Sequence, residues 1–282
     1  MENIRNEFLS VSVNPLGAEL RSIKNYDGYE FLWQGNPEIW NGRSPFLFPI
    51  IGRIKNDTLM VDGKDYTLQK HGFARKSDFS VADISESSVS FMLKSDENTK
   101  KQYPWDFELK ITYTLEKTTL KISYEVKNTD CKTMYFSMGA HPAFNCKIGD
   151  ILEFEKNETL ESYVMNEDAY IYKKIPYLNN ERNIVISGDI FKDDALMFEN
   201  MSSDSITLKK QDGYSIFVKY NNARFLGLWA KPGAPYVCIE PWFGINDFEE
   251  FCGDFSEKHG ILSLDAGEKF EYEIEIEFRN NK

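Results

Sequence analysis

The sequence predicts an all-β fold, a large antiparallel β-sandwich with few short helices, with residues 1–282 forming a single domain. Three observations carry that expectation. Apolar residues recur with a period of two along most of the chain, as they do in strands that bury one face. No long stretch sustains the 3.6-residue apolar period of an amphipathic helix. No Ser/Gly/Pro-rich linker, composition shift or repeat divides the 282 residues. A chain of that size can bury roughly 75% of its unfolded surface without a metal or disulfide.

From the N-terminus, residues 9–13 read as a strand. Residues 59–61 and 66–68 read as a pair turned at Asp62-Gly63. Helical turns are expected near residues 37–40 and 246–251. Residues 89–94 alternate again. The run 107–115 sets Phe107, Leu109, Ile111, Tyr113 and Leu115 on one face and Glu108, Lys110, Thr112 and Thr114 on the other. After a break at 116–119, Leu120, Ile122, Tyr124 and Val126 resume the pattern, which reads as an antiparallel hairpin. Residues 206–209 and 215–220 flank a second turn, Asp212-Gly213. The most regular alternation is 272–278, where Tyr272, Ile274, Ile276 and Phe278 are interleaved with Glu residues that should face water.

Charge and motifs narrow the function. Lys and Arg number 33 against 45 Asp and Glu, a net charge of −12, so there is no cation excess for nucleic acid or an anionic membrane. No apolar run approaches the roughly 20 residues of a membrane span, and Met1-Glu2-Asn3-Ile4-Arg5 lacks a signal-peptide core. Cys131, Cys146, Cys238 and Cys252 form no CxxC pair. They read as free thiols in a reducing compartment, hence a cytoplasmic protein. His-Glu-x-x-His, His-x-His and Gly-rich phosphate loops are absent, which sets aside metal hydrolysis and nucleotide chemistry. Aromatics at 15% exceed what a core alone calls for, and flat rings also bind sugars.

Three histidines are present. His259, in Glu257-Lys258-His259-Gly260, fits a surface or satisfied core residue. His71, in Lys70-His71-Gly72-Phe73-Ala74-Arg75, and His141, in Gly139-Ala140-His141-Pro142, sit in Gly- or Pro-marked junctions after strand-like runs, where functional loops concentrate. Glu240 stands among Ile239, Pro241, Trp242 and Phe243. Lost solvation there would raise its pKa towards that of a general base. Asp194 precedes an apolar run, as a strand-capping Asp does. Arg53 follows an apolar run through Gly52, placed either for ligand hydroxyls or anions or for a surface ion pair. Arg53, Lys55, Lys70, Arg75 and Lys76 make a local basic excess in an acidic chain.

In order along the chain, Asn14-Pro-Leu-Gly-Ala-Glu-Leu-Arg-Ser-Ile23, Gly52-Arg-Ile54, Val61-Asp-Gly-Lys-Asp-Tyr66, Lys70-His-Gly-Phe-Ala-Arg75, Ala140-His-Pro-Ala-Phe144, Asp194 and Ile239-Glu-Pro-Trp242 resemble the aldose 1-epimerase (galactose mutarotase-like) superfamily. The resemblance implies a large antiparallel β-sandwich that interconverts the α and β anomers of free aldoses. It implies Glu240 as general base, His141 as general acid and His71 as a second active-site histidine. Arg53 falls on the substrate-binding arginine, and Asp194 on the carboxylate that binds sugar hydroxyls. Gly52-Arg53-Ile54 departs from the longer Asn-Arg-Ile region of classical galactose mutarotases, and the His71-Gly-Phe-Ala-Arg75 turn resembles the branch that includes hexose-6-phosphate mutarotases. An inward Arg75 would suit a phosphorylated sugar, and an Arg75 paired with an acid a neutral one.

The implied scheme needs no cofactor and no metal. The expected partner is an aldohexose, free or phosphorylated, and the expected assembly a monomer or homodimer. A non-catalytic carbohydrate-binding protein on the same fold is the other class to weigh. A glycoside hydrolase would need two opposed carboxylates, whereas the acid–base roles implied here fall on one carboxylate, Glu240, and the histidines His141 and His71.

Overall fold

The computed structural model describes residues 1–280, so the last two residues of the expected domain lie outside them. The strand ladders among the described residues are antiparallel. The larger of two facing sheets has nine strands. Their spatial order is Ile171–Val185, Ile151–Met165, Ser205–Lys209, Tyr214–Lys219, Lys269–Asn280, Thr119–Asn128, Phe107–Glu116, Ser88–Lys94 and Ser80–Ile84. The period-two segments form its centre. Leu115, Leu120 and Ile276 stand level across three strands, as do Tyr113, Ile122 and Ile274, and then Ile111, Tyr124 and Tyr272. All of these side chains are buried.

The second sheet runs Leu196–Glu199, Phe225–Trp229, Tyr236–Phe243, Met138–Ala140 and Phe46–Leu47, with Ala143–Asn145 also paired to Tyr236–Phe243. Aromatic contacts join the two sheets: Phe46 stacks on Tyr124 at 4.9 Å, Phe243 meets Tyr272 edge-on at 4.7 Å, and Phe154 meets Phe198 at 6.2 Å. Such pairs add about 0.5–1.5 kcal/mol each beyond their buried area. Phe243 points at the larger sheet, so the even-numbered residues of its strand face the other way. That outer face is also buried, by Trp33 and Trp40 against Tyr236. The site lies there.

Among the described residues helix is confined to Glu97–Lys100, capped by Asp96, and three single 3-10 turns, Lys55–Asp57, Ala74–Lys76 and Phe255–Glu257. Near residues 37–40 the chain makes one turn, closed by the Trp40 N–H on the Asn36 carbonyl. The turn expected at 246–251 is confined to its second half, where the Phe251 N–H donates to the Phe248 carbonyl; ahead of it Asp247 and Glu249 bond across to Ile171, so Phe248 bridges Ile171 as a strand residue. At strand ends, the Arg5 N–H donates to the Glu86 carbonyl and the Asn128 N–H to the Glu268 carbonyl. No helix among the described residues is long and apolar enough to cross a membrane.

Candidate active site

The site is built on the strand Tyr236–Phe243. On one side Gly139 stands opposite Trp242 and Ala143 opposite Cys238. The same register brings His141 level with Glu240, although Pro142 interrupts the ladder between them by lacking an N–H. Directly opposed residues on one face have their Cβ atoms about 4.5–5.5 Å apart, and His141 Nε2 lies 3.2 Å from Glu240 Oε2. On the other side Gly227 is opposite Glu240. A Cβ on Gly139 would come within 2.3 Å of the Trp242 ring, and one on Gly227 within 2.5 Å. The Trp242 indole therefore lies over a glycine on each neighbouring strand.

His71 arrives from a different element. It takes a left-handed backbone (φ 67°), followed by Gly72 at φ 68°. Only glycine fits the second position, because a Cβ there would sit 2.2 Å from the Phe48 carbonyl oxygen. The His71 N–H donates to the Gly52 carbonyl (2.8 Å), and the Gly52 N–H donates back to His71 Nδ1 at 3.1 Å. In the neutral ring this leaves the proton on Nε2. The His71 and His141 rings meet edge-on, 6.0 Å apart.

These groups line a cavity of about 280 Å³, walled by Trp40 and Trp229 and edged by Lys70, Arg75, Asp194 and Asn246. Trp40 stacks on His141 at 5.3 Å, and Trp229 meets it edge-on at 5.8 Å. Burial pushes the Glu240 carboxyl well above the ordinary carboxylate range. The Lys70 charge opposes that rise and Asp194 adds to it. Burial likewise pushes His141 down to about 3, with Lys70 and Arg75 acting in the same direction. His71 is lowered too, first by burial, then by His141, Lys70 and Arg75. The buried His141 Nδ1 has no hydrogen-bond partner among the described residues. Unmet polar atoms cost about 1–3 kcal/mol each, and a polyhydroxylated ligand carries the groups to meet them.

Of the residues singled out in the sequence, His71, His141, Glu240, Asp194 and Arg75 line one cavity. Arg53 does not, which corrects the expectation of a sugar-binding arginine there. Its guanidinium chelates Asp57 at 3.0 and 3.3 Å and donates to the Asp168 carbonyl, since the one-turn helix beginning at Lys55 folds Asp57 back to meet it. Arg75 donates to the Lys70 carbonyl at 3.0 Å. Among the described residues neither Arg75 nor Lys70 forms an ion pair. His259 lies elsewhere, 2.9 Å from Glu199. Trp40, Trp229, Met165 and Met197 were not foreseen; each belongs to a short or irregular stretch with no chemical motif.

His141, Cys238 and Glu240 offer ligand atoms within 4.8 Å of one another. Zinc accepts such donors. Two of the three, His141 and Glu240, already face each other at 3.2 Å, however, and Lys70 and Arg75 bring positive charge to the same cavity.

The profile of the aldose 1-epimerase family matches residues 3–277. Protein LacX (chromosomal) of Lactococcus lactis subsp. lactis is 33% identical over 97% of this chain and 98% of its own. A galactose mutarotase related enzyme from Lactobacillus acidophilus superposes with a TM-score of 0.95 at 34% identity, over 100% of this chain and 98% of the other. A galactose mutarotase-like protein from Lactobacillus casei gives 0.94 at 28%, over 99% and 100%.

Proposed function

The chain belongs to the aldose 1-epimerase family, and from that premise we propose that it interconverts the α and β anomers of a free aldohexose by acid–base ring opening and closure. One observation carries the reading: a buried carboxylate and imidazole, 3.2 Å apart, form the floor of a sugar-sized cavity. Glu240 takes the proton of the anomeric hydroxyl. His141 gives a proton to the ring oxygen as the C1–O5 bond breaks. The open-chain aldehyde rotates about C1–C2 and recloses on its other face, with the two residues exchanging roles. His71, its Nε2–H fixed by Gly52, donates to oxygen as charge develops. Trp40 and Trp229 offer flat faces to the sugar ring. Asp194 accepts from its hydroxyls.

The pair needs one proton, and burial favours the carboxyl as its resting place. The productive arrangement, carboxylate with imidazolium, is reached by passing that proton from Glu240 Oε2 to His141 Nε2, whose nitrogen lies 3.2 Å from the oxygen. The sugar hydroxyls then bond the carboxylate and stabilise its charge.

A second reading, that the sugar is phosphorylated, is favoured by Lys70 and Arg75, cations on the cavity edge with no carboxylate partner. Charge-assisted bonds to a phosphate are worth about 1.5–3 kcal/mol each. The test dissolves pure α-glucose, α-galactose and glucose 6-phosphate and follows anomeric protons by NMR, with wild type and Arg75→Ala. Accelerated exchange that is lost in Glu240→Gln supports the enzyme. A loss in Arg75→Ala confined to the phosphorylated sugar assigns the anion. Sugar binding with no acceleration on any substrate overturns catalysis in favour of a binding protein.

A further inference from the structure

The acid–base scheme leaves one buried ion pair without a role. Lys258 Nζ meets Asp247 Oδ1, and the two side chains are 1% and 3% exposed. Buried pairs of this kind cost desolvation and seldom repay it in stability alone, so their value is sought in what they hold in place.

Asp247 holds the loop that carries His71's partner. Its second carboxylate oxygen, Oδ2, accepts the Lys55 N–H at 2.8 Å, and its own N–H donates to the Arg53 carbonyl at 3.0 Å. The residue before it, Asn246, edges the cavity, donates to the Ala169 carbonyl at 2.9 Å and packs against Gly52 so closely that a Cβ there would fall 1.9 Å from Oδ1. Gly52, pinned between these contacts, exchanges two hydrogen bonds with His71. A continuous set of bonds thus runs from Lys258 through Asp247 and the 52–55 backbone to the ring nitrogen that decides which side of His71 carries its proton.

We propose that Asp247, secured by Lys258, is a positioning residue that fixes the tautomer and orientation of His71 so that its Nε2–H faces the sugar. The pair touches no substrate. It keeps the Gly52 N–H aimed at Nδ1, and without it the loop at 52–55 is free to shift and the ring to adopt either tautomer. The proposal rests on the mutarotase reading for its consequence in rate, but not for its structural content.

The test therefore begins without sugar. Nitrogen-15 NMR of the intact protein reads the His71 tautomer directly. Wild type should give one tautomer, Nε2 protonated and Nδ1 bare. Asp247→Asn leaves Lys258 buried and unpaired, which threatens the fold, so the decisive variant is Asp247→Asn/Lys258→Met, which removes both charges and keeps shape. It should fold, give a mixture of His71 tautomers, and lose about 10–100-fold in kcat with a smaller change in KM, as misplaced groups do. A folded double variant that keeps the single Nε2–H tautomer overturns the proposal whatever its activity. A mixture of tautomers supports it even if anomer exchange is absent from wild type, in which case the mutarotase reading alone fails.

Discussion

At the scale of single residues the account turns on Glu240. Glu240→Gln keeps size and hydrogen bonding and removes basicity, so anomer exchange should fall about 10²–10⁴-fold. Stability should move the other way. A carboxyl whose folded pKa lies above its unfolded one loses stability as pH rises from the ordinary carboxylate range through the raised value. The Gln variant should therefore melt at or above the wild-type temperature at pH 8, with the advantage shrinking towards pH 4.5; a lower melting point at pH 8 would contradict a buried, strained carboxyl. The pair Glu240–His141 faces Lys70, Arg75, His71 and Asp194, and it titrates as a unit. Burial lowers the imidazole and raises the carboxyl, so over the range between its two titration steps the pair should hold a single proton. The pH–rate profile should be bell-shaped with its acid limb far below the roughly 6.5 of a free imidazole. An acid limb near 6.5 would mean that His141 is solvated as the sugar binds. A Glu among Trp and Pro and a His before Pro are unusual settings, which made both residues candidates in the sequence, and the fold brings them into one cavity. The ion pair of Arg53 was not legible, because its Asp57 partner is four residues away and only the turn at Lys55–Asp57 brings them together.

At the scale of elements, strands with one wet face could be read and others could not. The hairpin 107–116/119–128 and the last strand followed directly from alternation. Tyr236–Phe243 is buried on both faces and so has no alternation to read. Ile151–Met165 and Ile171–Val185 pair through several register shifts. The second is an edge strand exposed along most of its length, so its polar sequence resembles a loop. The cross-strand meeting of His141 and Glu240 depends on that unreadable element, and no local pattern announces it. Glycine is where the element scale can be tested. Gly139 and Gly227 give Trp242 its seat, and Gly139→Ala should cost about 1–3 kcal/mol by overpacking, measured by denaturant unfolding. Adding Trp242→Phe should recover part of the loss. An Ala variant as stable as wild type would show that the indole has room to move.

At the scale of the whole molecule, we propose that the two facing sheets make one cooperative unit, since aromatic pairs from both ends of the sequence join them. Calorimetry should give a single unfolding transition with equal calorimetric and van't Hoff enthalpies; two resolved transitions would divide the chain. The net charge of −12 gives the surface an acidic cast, against which the Lys70–Arg75 edge of the cavity stands out as a local exception. The fold thus gathers a carboxyl group and two imidazoles, Glu240, His141 and His71, from three separate stretches of chain to one cavity on the outer face of one sheet. The central claim is that Glu240 and His141 work as a pair, and a double-mutant cycle on anomer exchange tests it most directly. Glu240→Gln, His141→Gln and the double variant are compared by NMR at one pH. Groups that act as a unit are strongly non-additive, so the double variant should be no slower than the slower single. Losses that simply multiply would mean that the two residues act independently, and the paired mechanism would have to be abandoned.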